Sequence, residues 1–164
     1  MSVSITGRIK KGGGIMRKLY IAAGASRTAV LWKNTAITWE ELKERLRTTC
    51  RTTETQGEYA NMTKAQQDAI KDVGGFVGGK LRNGRRKVDH VDCRDILTLD
   101  ADFAAEDFCD QLDIFLSCAW CVYSTHKHTP EKPRLRLLIF GSVEEDLKER
   151  FDALCDGKKI QYMG

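Results

Sequence analysis

Apolar and polar positions along this chain mark its elements one after another. Leu19 to Ala23 is a short apolar run ended by Gly24-Ala25-Ser26-Arg27, the pattern of a strand and its turn. Ala29 to Lys33 extends that turn or pairs nearby. At Thr38 the period changes: Thr38 is an N-cap, Glu41 closes a capping box, and Leu42 and Leu46 stand one helical turn apart. The spacing predicts a helix to about Arg47, with one side on a sheet. Arg51 to Tyr59 is polar and reads as loop. Asn61 to Lys71 reads as a second helix capped by Thr63. Ala104 to Leu116 has helical spacing, with Phe108, Leu112 and Phe115 on one side. Cys118 to His126 reads as a buried strand. Arg134 to Phe140 reads as its antiparallel partner, after a turn stiffened by Pro130 and Pro133. Strand and helix signals interleave, which predicts an α/β (α+β) fold with a mostly antiparallel sheet and packed helices.

Asp95 to Asp102 (DILTLDAD) suits a central strand. Alternate side chains of a strand share a face, so Asp100 and Asp102 point the same way, with Thr98 and Ile96. Leu97, Leu99 and Ala101 face the other side, where helices can cover them. Two carboxylates so placed repel unless a cation sits between them, and magnesium or manganese takes such oxygen ligands. The alternative is a strand end whose acids cap the following helix. Ser124 and His126 also stand two apart, and both reach phosphate oxygens if they share a face; a surface histidine is the commoner reading. Arg134 and Arg136 share a face and suit phosphate, or else form a solvated basic face.

Gly74 to Lys80 nearly meets the phosphate-loop pattern, but Leu81 stands where Ser or Thr would bind magnesium. The glycines then predict close backbone approach, to a nucleic-acid strand. The basic run Arg82, Arg85, Arg86 and Lys87 surrounds Asn83-Gly84, and is either a solvated hairpin tip or a phosphate contact. Lys127 opens a second basic stretch. These clusters say more than the net charge of +4, from 27 basic and 23 acidic residues.

At 164 residues, 41% apolar and 30% charged, the chain can build one full core. No run approaches the roughly 20 apolar residues of a membrane span, so no membrane partner is expected. Met1 to Ile15 reads as a flexible, glycine-rich leader without the apolar core of a signal peptide, leaving 16–164 as a single domain. The six cysteines are then expected reduced, in a cytoplasmic setting. Cys118-Ala-Trp-Cys121 lacks a second ligand pair and reads as two small apolar residues on a buried strand.

Taken together, apolar-apolar-Asp-x-Asp, then Ser-x-His, then a basic strand resembles the archaeo-eukaryotic primase superfamily, the primase-polymerases. Ser124 to Arg136 (STHKHTPEKPRLR) and Lys71 to Gly79 (KDVGGFVGG) look like its phage and mobile-element branch, found before virulence-associated-protein-E-like or D5-like helicases. The resemblance covers about residues 16–139. It implies an RRM-like core and metal-dependent nucleotidyl transfer in DNA replication priming, in the cytoplasm of the host cell if the chain is phage-encoded. Asp100 and Asp102 would hold two divalent metals, Mg2+ or Mn2+. Ser124 and His126 would contact the incoming nucleoside triphosphate, ribo- or deoxyribo-. The implied partners are a single-stranded DNA template, a helicase or a host protein. The family's third motif, a later metal-binding Asp, has only Asp152 as a match, in a stretch from Ser142 that reads as helix. The expectation is therefore a shortened core. A non-catalytic derivative binding nucleic acid or a protein partner, such as a phage inhibitor of a host nucleic-acid machine, is the alternative. A phosphoesterase using the same carboxylates is a third.

Overall fold

Leu19 and Ile21 are buried with exposed Tyr20 between them, so β1 (Leu19–Gly24) turns one face to a core, while Ala22 on its other face is buried with Trp32, Val77 and Leu81. The computed structural model describes residues 17–102, 104–116, 118–140 and 161–162. β1 is the middle strand of a three-stranded antiparallel sheet. β2 (Lys33–Ile37) lies on one side, with Ile37 opposite Leu19, and β3 (Gly75–Val77) on the other, with Val77 opposite Ala22. The expected capping box opens α1 (Trp39–Arg47): the Glu41 amide donates to Thr38 Oγ1 at 3.2 Å, and the Thr38 amide to Glu41 Oε2 at 2.7 Å. α3 (Lys64–Lys71) is capped by Thr63 in the same way. The polar stretch read as loop contains α2 (Gln56–Asn61), because Thr55 and Glu58 form a third such box.

β4 (Gly79–Leu81) pairs antiparallel with β5 (Val91–Arg94). The chain then builds β6 (Ile96–Asp102), α4 (Phe108–Phe115), β7 (Trp120–Ser124), β8 (Arg134–Phe140) and β9 (Gln161–Tyr162). These strands form a four-stranded antiparallel sheet in the order β7-β8-β6-β9. The expected α+β class with antiparallel sheets and packed helices is the one observed. The described elements β6-α4-β7-β8-β9 and their sheet order match the first four elements and the four strands of a β-α-β-β-α-β arrangement. The leader at 1–15, the helix expected from Ser142 and Asp152 lie outside the described residues.

The two faces of this sheet do different work. Leu99, Ala101, Leu137, Ile139, Trp120 and Val122 meet Phe108, Leu112 and Leu116 on one face. The helix ends at Phe115, so extended Leu116 turns into the core and Phe115, expected inside, is 38% exposed. On the other face Ile96, Leu138 and Cys121 meet Leu19, Ile21, Trp39 and Leu42 of β1 and α1. Burying each such leucine contributes about 2 kcal/mol, which fixes the sheet between α4 and the first layer. Beyond this apolar end, the second face turns polar.

The glycine run joins the two halves of the fold. Gly78 O accepts from both Asp95 N (3.0 Å) and Ile96 N (3.1 Å). A Cβ on Gly78 would stand 2.6 Å from Ile96 Cβ, and one on Gly79 would stand 2.0 Å from Cys93 O. The expected close approach is therefore to the protein's own strands, which corrects the reading that pointed to a nucleic-acid strand. Asp95 adds a second tie, accepting from Tyr20 N at 2.7 Å and from the Arg17 guanidinium at 3.2 Å.

Candidate functional site

The polar end of the second face begins with the register of β6 on β8. Asp100 lies opposite Arg136 and Asp102 opposite Arg134, and residues directly opposite share a face. Arg136 grips Asp100 at two points, Nε to Oδ1 at 2.7 Å and an Nη to Oδ2 at 3.3 Å. Arg134 reaches Asp102 Oδ2 at 2.7 Å. The first pair is about three-quarters buried; in the second, Asp102 is half exposed. The two acids and two arginines thus meet each other, and charge-assisted contacts balance the like charges across strands. Asp102 does not cap α4, whose N-cap, Asp107, makes no side-chain capping bond.

Tyr123 of β7 lies opposite Arg136 and completes the row. Burial pushes its phenol above the ordinary range, against the opposing pull of the Arg136 charge and hydrogen bond. Arg136 is held above its usual value: burial works against its charge, but the bond to Asp100 and the neighbouring Tyr123 outweigh it.

β8 stands between the strands carrying the two motifs, so β6 and β7 are not neighbours. Ser124 lies opposite Leu135, on the opposite pleat from Tyr123 and at the last residue of its strand. His126 follows in the turn. Its Nε2 is 3.6 Å from Glu54 Oε1, and its ring meets Tyr59 edge-on at 4.6 Å. The Thr52 hydroxyl donates to Glu54, which with the nearby imidazole holds that carboxyl below its ordinary range. Lys127 lies 6.0 Å over the Tyr59 ring. The loop before α2 therefore docks on the turn after β7, and one signal for it was present in the Thr55-to-Glu58 spacing.

Between this polar end, the α1–α2 loop and the glycine run lies a cavity of about 480 Å3. Thr98, Tyr123, Ser124, His126 and Arg136 line one side of it. Arg27, Arg45, Lys71 and Arg86 line it as well, and among the described residues no carboxylate is in the lining. Asp100 and Asp102 lie outside the lining, with Arg136 between Asp100 and the space. Some of the positive charge is balanced from behind: Asp68 pairs with Lys71 at 3.0 Å and with Arg27 at 3.7 Å. Arg27, Arg45 and Lys71 come from three separate segments, and no local motif announces them.

Of the basic run, Arg86 reaches the cavity wall and packs over the Trp32 ring at 5.1 Å. Arg82 turns to Asp92 at 3.2 Å, while Arg85 and Lys87 are exposed. Cys121 is fully buried, its thiol pushed up to about 12 by burial, as suits a core residue.

Magnesium is commonly held by one or two carboxylates plus water and substrate phosphates, and Asp100 with Asp102 meets that donor set. Among the described residues no group of three or more His, Cys, Asp or Glu gathers. In this structure both carboxylates are engaged by arginines.

The family described as VapE N-terminal domain matches residues 7–157 of the chain. No curated protein and no solved structure matches it.

Proposed function

The chain belongs to the VapE N-terminal domain family, a domain of VapE-like phage and mobile-element proteins, and we propose that its cavity binds a nucleoside triphosphate for metal-dependent nucleotidyl transfer of the primase-polymerase kind. The observation that carries this reading is the cavity itself. Among the described residues its wall is cationic and hydroxyl-bearing with no carboxylate, and it ends at the arginine that grips Asp100. Guanidinium groups suit phosphate because their planar fork donates at two points. A polyphosphate here gives Arg136 a second anion to bind. Asp100 and Asp102 would hold the divalent cation, which supplies charge neutralisation at the phosphates. His126, held against Glu54 and Tyr59, and Ser124 then donate to phosphate oxygens from the far side. Arg45 and Lys71 fix the polyphosphate tail, and positioning of this kind is most of what phosphoryl transfer asks of a protein.

One observation favours a second reading. Both carboxylates are already neutralised across the strands by arginines, so the sheet needs no cation to be at rest. A non-catalytic domain that binds nucleic acid or a protein partner has that property. Nucleotide incorporation on a single-stranded DNA template with Mn2+ separates the two readings. Incorporation by the wild type, lost in Asp100→Ala with Asp102→Ala, is the expected result. Absence of incorporation with intact nucleotide binding overturns the catalytic reading. Nucleotide binding that is absent, or that Arg45→Ala with Lys71→Ala leaves unchanged, overturns the cavity as its site.

A further inference from the structure

Next to the cavity, two loops form a single basic tip. The β1–β2 loop and the turn at 82–88 are tied by Trp32 N donating to Gly84 O at 2.7 Å. Asn34 adds two bonds to the Leu81 backbone, at 2.8 and 2.9 Å. Asn83 (φ 53°) and Gly84 (φ 64°) take the left-handed backbone that an Asn-Gly turn favours, and a Cβ on Gly84 would stand 2.4 Å from Trp32 O.

The tip carries a strong and specific surface. Between Ala25 and Ala36, and again between Arg82 and Val88, there is no acidic residue. Arg85, Lys87 and Lys33 are exposed and make no ion pair with the described residues. Among these cations stand three apolar side chains in water: Val30 is 74% exposed, Leu31 69% and Val88 94%. Arg27 and Arg86 belong to the same two loops and also line the cavity, so the surface runs into it without a break.

We infer that this two-loop tip binds single-stranded nucleic acid and leads it toward the cavity. Cations on the two loops meet phosphates, and the exposed aliphatic side chains among them pack against bases that a single strand leaves unstacked. A protein with an acidic and apolar face would meet the same groups, and a wild type that binds neither oligomer below is the outcome that points to it. The binding stands on the tip alone; only the direction of travel rests on the reading of the cavity given above.

The test is fluorescence anisotropy of labelled oligothymidylate and oligouridylate, titrated with the full chain at several salt concentrations. Arg85→Glu with Lys87→Glu should weaken binding about tenfold and flatten the log-log salt slope by about 1.4, the value for two phosphate contacts on a single strand. Leu31→Ser with Val88→Ser should weaken binding about threefold at an unchanged slope. The two oligomers tell DNA from RNA, and a duplex of the same length should bind less tightly. The inference is overturned if the wild type binds neither oligomer, if the duplex binds equally well, or if the charge-reversed variant keeps the wild-type slope. The glutamate variant should still bind nucleoside triphosphate with Mn2+. Arg45→Ala with Lys71→Ala should lose the triphosphate and keep the oligonucleotide, so failure of the tip and failure of the cavity give different results.

Discussion

Asp100 and Asp102 sit two residues apart on one strand, yet their removal should cost the fold very different amounts. Breaking a fully buried ion pair from one side costs about 3–5 kcal/mol, and breaking an exposed one about 0.2–1 kcal/mol. Asp100 and Arg136 are 25% and 26% exposed and touch at two points. Asp100→Ala strands a largely buried guanidinium, and interpolation gives about 2 kcal/mol. Asp102 is 51% exposed and bonds Arg134 once, so Asp102→Ala should cost about 0.5 kcal/mol. Urea unfolding followed by the buried Trp32, Trp39 and Trp120 reads the difference. With a slope of about 2 kcal/mol/M, the midpoints should fall by about 1 M and about 0.25 M. A double-mutant cycle of Asp100→Ala with Arg136→Ala should return a coupling above about 1 kcal/mol. Equal midpoint shifts, or a coupling below about 0.5 kcal/mol, would refute the reasoning. Nucleotide binding in the presence of Mn2+ should ignore this ranking, because both acids are then needed alike.

Two further outcomes follow from the packing. Gly78→Ala should destabilise by about 3 kcal/mol, because its Cβ would meet Ile96 at 2.6 Å; Gly75→Ala, which meets nothing within 4 Å, should leave the urea midpoint nearly unchanged. A thiol reagent should modify exposed Cys50 within the native fold and Cys121 only on unfolding. Because the Cys121 thiol is raised from 9.0 to about 12, the unfolded chain sheds this proton first. Its contribution to stability is whole below pH 9 and is lost as pH climbs toward 12, which urea midpoints across that range would check.

Local rules carried the sequence reading a long way where one element decides its own fate. The Thr38 and Thr63 caps and the two-residue period of 95–102 are written within a few positions. The strand pair β4 and β5 is not legible, because strands of three and four residues, the first opening on glycine, are too short to show a period. For the site, parity put Asp100 with Asp102 and Arg134 with Arg136. That the two sets would meet depends on the register of β6 against β8, more than thirty residues apart. Ser124 was read by its spacing from His126, but the turn after β7 breaks the alternation on which that spacing rests. Arg27, Arg45 and Lys71 converge only through the packing of three segments, and a cavity wall assembled that way has no signature in any one of them.

The seam at Gly78 bears on how the cavity would meet the proposed ligand. One carbonyl holds two consecutive amides of the strand leading to the carboxylates, so the wall and the floor are riveted together before anything binds. An incoming molecule finds a finished cleft, gives up its own freedom, and asks little reorganisation of the host. The amides of Asp95 and Ile96 should then rank among the slowest to exchange with heavy water in the empty protein, and filling the cleft should hardly slow them further.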